Sequence, residues 1–151
     1  MKYIRDLLIN LIFISIVASF VIFYPMLISI YVFMPLMIGL MGYLFIKGLR
    51  ENKWLYIMIS FIYITNLELN LSLPMFLILL SILLVYIILD NLGFFDIKCS
   101  ICHNLLSAFL VDIVYFIMLM GYDFIFQTQS IVVDELLLYS LIVDLIVVVV
   151  L

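Results

Sequence analysis

The chain reads as apolar blocks separated by short polar stretches. A hydrocarbon core of about 30 Å takes roughly 20 apolar residues in helix. On that ruler the blocks predict six spans, at about 7–24, 25–46, 54–67, 73–89, 105–122 and 131–151. Pro25 suits the first turn of a helix, where its missing N–H costs nothing. With only the Tyr24–Pro25 junction between them, the first two spans predict a tight hairpin.

Residues 47–53 form a polar connection. The segment 54–89 is too long for one span and carries Asn66, Glu68, Asn70 and Ser72 near its middle. It is therefore divided in two, with Pro74 opening the second half. The first half loses its apolar run at Thr65, so a re-entrant or tilted element is its alternative, tolerated only under protein cover. Residues 90–103 and 123–130 make the remaining connections.

Orientation follows from the basic residues. Lys2 and Arg5 precede span one; Lys47, Arg50 and Lys53 lie between spans two and three; Lys98 lies between spans four and five. Six spans put all of them on one face, which the positive-inside rule makes cytoplasmic. The expected fold is therefore all-α: a single transmembrane domain over 1–151, with both termini cytoplasmic. Lys2 and Arg5 before an apolar run also fit a signal peptide. The run continues without a small-residue cleavage site, so it is read as an uncleaved span.

Composition agrees. The chain is 70% hydrophobic and 11% charged, where a soluble domain carries about 25% charged residues. A net charge of −4 gives no basic footprint for nucleic acid.

Cys99-Ser100-Ile101-Cys102-His103 matches the C-x-x-C-H attachment pattern for c-type haem. The expected cytoplasmic side of this loop argues against haem, because such attachment takes place outside the cytoplasm. Two Cys and one His also fall short of the four ligands of a closed zinc site, unless a partner completes it. Reduced thiols, with no cofactor or metal, are the expectation.

Asp112 and Asp144 lie inside apolar spans, each seven residues from the cytoplasmic end assigned to its span. That is about 10 Å of helix, so the two are expected at similar depth. Intramembrane acids are costly, point inward and often mark function. No Lys, Arg or His lies in a proposed span, so each acid either keeps its proton or pairs with a cation from another subunit. They are candidate partner or cavity contacts, with a hydrogen-bonded structural acid as the plain alternative. Asn66 and Glu68, on an expected outer-face turn, are weaker candidates for recognition. Asp134 and Glu135 are expected at the start of span six, where the helix dipole favours acids. Pro35 is expected to bend span two, and Gly39 and Gly42 to let a neighbour approach, with Ser15 and Ser19 of span one as a matching face. Trp54, Tyr24 and Tyr122 fit aromatic belts. Catalytic signatures such as H-E-x-x-H, G-x-S-x-G and a P-loop are missing, so no enzyme is expected.

The stretch Ser107-Ala108-Phe109-Leu110-Val111-Asp112-Ile113-Val114-Tyr115-Phe116 resembles the Leu-Val-Val-Asp-Ile type of segment in the later half of the MreD family of rod-shape-determining membrane proteins. The Tyr24–Pro25 junction is similar to that family's proline at the start of its second span. Family members often carry glycines and an Asp-Ser-Gly in the third-span region; this chain has Tyr63-Ile64-Thr65-Asn66-Leu67-Glu68 there. The resemblance covers about half of the chain. It implies a non-enzymatic scaffold or assembly subunit of the cell-wall elongation machinery. The partners it implies are an MreC-like periplasmic scaffold, a SEDS glycosyltransferase with its transpeptidase, and actin-like filaments beneath. The family's architecture is also similar to that of the substrate-binding S components of energy-coupling-factor transporters, which makes small-solute capture or transport the alternative.

Overall fold

Among the described residues six α-helices form, in the order α1 Lys2–Ile30, α2 Ile38–Glu51, α3 Trp54–Asn70, α4 Leu77–Asn91, α5 Ser100–Phe126 and α6 Glu135–Val150. The structure, a computed structural model, describes the backbone of residues 2–31, 34–93, 100–127 and 135–150, and side chains within 15–31, 34–93, 102–127 and 137–150. No strand occurs among the described residues. Among the described residues one helix, over Cys102–Phe126, is long and apolar enough to cross a membrane, and only 33% of its most apolar window is buried. Shorter apolar helices run over Ser15–Ile30, Leu77–Asn91 and Leu137–Val150.

The burial pattern is one face per helix at helical spacing. In α4 the buried residues are Ile78, Ser81, Ile82, Val85 and Leu89; in α5 they include Ala108, Val111, Asp112, Tyr115 and Leu119. These recur at three and four residues, the period that lines up one side of a helix. The opposite faces are not polar. Ile22, Phe23, Leu80, Ile117, Met120 and Ile146 all stand exposed on them. Only α2 is buried nearly all round, from Ile38 to Ile46, with α3, α4, α5 and α6 packed about it. It ends among Lys47, Arg50 and Lys53, where Arg50 occupies the last turn and favours the negative end of the helix dipole. Lys53 and Glu51 pair at 2.6 Å in the turn that follows.

Two expectations about α1 and α2 are overturned. The Tyr24–Pro25 junction is not a hairpin: α1 runs through Pro25 to Ile30. A proline inside a helix removes the hydrogen bond to the carbonyl four residues back, here Val21. Asn66 of α3 supplies the missing donor. Its Nδ2 donates to Ile22 O at 2.9 Å and to Val21 O at 3.4 Å, while its Oδ1 accepts from Asn70 Nδ2 at 2.8 Å. The neighbouring helix thus repairs the break, the usual condition for proline in an apolar helix.

Pro35 is not within a helix either, but in the irregular stretch that leads into α2. With 14 residues, α2 is about 21 Å long, short of a bilayer core. Further shifts are smaller. α3 continues to Asn70, α4 opens at Leu77 rather than at Pro74, and α5 extends beyond 105–122 at both ends. α6 begins at Glu135 as described, and 131–134 and Leu151 lie outside the described residues.

Candidate functional site: a buried acid pair on a broken helix

The start of α2 lies inside the bundle, and its backbone is held by side chains from three other helices. Met37, the residue before α2, takes a left-handed conformation (φ 53°) and offers no side-chain cap. A buried helix start with unpaired amides is costly, so the partners must come from elsewhere. Ser140 Oγ of α6 accepts from Leu36 N at 3.1 Å, and Asp144 Oδ2, one turn on, accepts from Gly39 N at 2.8 Å. The carbonyls are met as well. Tyr24 O–H donates to Pro35 O at 3.0 Å from α1, and Tyr63 O–H to Leu36 O at 2.8 Å from α3.

Asp112 of α5 reaches the same point from the opposite side. Its carboxyl fills the place where Gly39 would carry a side chain: a methyl there would lie 2.8 Å from Asp112 Cγ and 2.9 Å from Oδ1, and closer still to Oδ2. Gly42, one turn later, does the same for Val111, whose Cγ1 would sit 2.6 Å from a methyl. Gly39 and Gly42 therefore permit close approach as expected, but toward α5. Ser15 and Ser19 are exposed and make no matching face.

Asp112 and Asp144 both reach Gly39, but not from equal distances along their helices. Because α5 begins at Ser100, Asp112 lies 12 residues in, about 18 Å along the helix rather than 10 Å. Asp112 is 4% exposed and Asp144 0%. Asp112 Oδ2 and Asp144 Oδ1 are both buried without a hydrogen-bond partner. Asp112 also forms part of the wall of a cavity of about 120 Å³ between α5 and α6, with Ile113, Phe116, Leu137, Leu138 and Leu141. No ion pair to either acid occurs among the described residues.

Asn66 and Glu68 do not join this site. Glu68, expected in a solvated turn, is 2% exposed. It caps α4: Oε2 accepts from Phe76 N at 2.8 Å and Oε1 from Ile78 N at 3.0 Å. Phe76 is left-handed (φ 67°) and has no capping side chain, as with Met37 before α2. α2 and α4 are thus begun in the same way, by a bulky left-handed residue and an acid from another helix. Sequence reasoning missed Ser140, Tyr24 and Tyr63 as parts of the site. The available signal was the absence of Ser, Thr, Asp or Asn just before both helices, where a local cap is normally found.

Cys99 and Asp134 lie outside the described residues, as does the side chain of Glu135. Cys102 is exposed and His103 half-buried on α5. Among the described residues no three His, Cys, Asp or Glu side chains gather as a metal site would require. No protein-family model matches the chain, and no curated protein or solved structure matches it.

Proposed function

We propose that this chain is a polytopic protein of the bacterial cytoplasmic membrane, with six crossings and both termini inside, and that it works as a non-enzymatic scaffold or assembly subunit of the cell-wall elongation machinery. The observation that carries the reading is how the interior polar groups are used. Asn66 repairs α1, Glu68 starts α4, and Asp144, Ser140, Tyr24 and Tyr63 hold the start of α2. Polar groups spent on architecture leave the exterior for function, and that exterior is apolar on every side-chain-described helix except α2. In lipid such faces are the surfaces on which membrane helices meet.

Solute capture is the less favoured reading. The cavity beside Asp112 (about 120 Å³) and the apolar groove between α1 and α3 (about 200 Å³) are small beside the ~300–1,000 Å³ of ligand pockets. The acid-bearing stretch 107–116 ties the scaffold to the MreD family by resemblance, and with it an MreC-like scaffold, a SEDS glycosyltransferase and a transpeptidase as partners. Asp112 then acts at the α2–α5 contact, setting the shape of the outer faces.

Depletion of the protein from its host is expected to widen and round the cells. A tagged copy is expected to retain the glycosyltransferase and the periplasmic scaffold through purification. Unchanged cell width, with neither protein retained, would overturn the reading.

A further inference from the structure

We infer that Asp112 and Asp144 hold one proton between them, carried by Asp112, while Asp144 is the carboxylate that caps α2. The inference is independent of the scaffold reading. Both carboxyls contact Gly39, one through its amide and one across its side-chain face. Both are more than nine-tenths buried, and each has one oxygen without a donor.

Among the described residues, the polar groups gathered beside the pair at the start of α2 carry no formal charge: the Tyr24 hydroxyl from α1, the Tyr63 hydroxyl from α3, the Ser140 hydroxyl from α6 and the Gly39 amide from α2. The tyrosine hydroxyls already donate to Pro35 and Leu36. A helix N-terminus offers about half a positive charge, which suits one carboxylate and not two. Two like charges on one glycine in an apolar setting repel strongly, since little solvent screens them.

A hard cation in place of the proton would want several oxygen ligands around it. The Pro35 and Leu36 carbonyls each already accept a tyrosine O–H. Protonation needs only one oxygen. Asp144 receives the Gly39 amide, a charge-assisted bond that favours its ionised form. Asp112 Oδ2, without a donor, is the oxygen for the proton.

The test is infrared spectroscopy of the purified full-length chain in detergent at neutral pH. Asp112→Asn is expected to lose a protonated-carboxyl C=O band and keep the carboxylate bands of the wild type. Loss of a carboxylate band instead overturns the assignment. Linkage supplies a second reading: unfolding at neutral pH should release about one more proton per molecule from the wild type than from Asp112→Asn, so the wild type should lose stability more steeply than the variant as pH rises. Equal release refutes the shared proton. If the variant does not fold, wild type labelled with ¹³C-aspartate decides. An isotope-shifted protonated-carboxyl band supports the proton and separates it from Glu68, and its absence rejects it.

Discussion

Gly39→Ala is expected to destabilise the protein by about 2 kcal/mol, although alanine is ordinarily the better helix residue by ~1 kcal/mol. The reversal follows from what the methyl meets. Asp112 Cγ and Oδ1 would lie 2.8 Å and 2.9 Å away, and the carboxyl cannot retreat without moving α5 or giving up its place against α2. Contacts that close force off-rotamer side chains or backbone shifts, each of which costs more than the entropy that alanine saves. Gly121 is the internal control. It is also helical, though in α5, and a methyl there meets nothing within 4 Å. Gly121→Ala should leave stability unchanged or raise it slightly. Denaturant or thermal unfolding of the purified variants separates the two, and equal stabilities would mean that α2 and α5 do not meet as described.

Glu68→Ala should cost about 3 kcal/mol, because it strands the amides of Phe76 and Ile78, and an unsatisfied buried donor costs ~1–3 kcal/mol. Glu68→Gln keeps one acceptor oxygen but loses the charge that the helix start favours, so its loss should be about half as large. Leu69, the next residue, is exposed, and Leu69→Ala should change little. The order Ala, then Gln, then the Leu69 variant is the diagnostic feature. If Glu68→Ala unfolds no earlier than Leu69→Ala, Glu68 is a solvated turn residue and the start of α4 is held by something else.

The parts of the fold that were legible depend on local pattern. Apolar blocks marked helices, and the polar stretches 47–53 and 66–72 marked the neighbourhood of two reversals, although α2 continues to Glu51 and α3 to Asn70 before the chain turns. Two acids buried in apolar helices have few places to go, which marked Asp112 and Asp144 as a pair, but the equal depth expected of them did not hold. What failed depended on remote partners. Pro25 breaks a helix by local rules, and nothing within several residues shows that the Asn66 amide, more than 40 positions on, restores the lost bond. Glu68 looked solvated because its polar neighbours alternate with leucines. Its caps become visible only once Leu73 to Phe76 fold back over it. The broken start of α2 was hidden for the same reason, its cap lying 105 residues away.

The central claim is that lipid surrounds this bundle and that polar side chains from one helix begin or repair another inside it. Single cysteines at Glu51, the last residue of α2, and at Met75, in the turn before α4, test it in a background with Cys99 and Cys102 replaced by serine. Both positions are exposed. A membrane-impermeant maleimide should label Met75→Cys in intact spheroplasts and Glu51→Cys only after permeabilisation. Labelling of both from the same side would contradict the account.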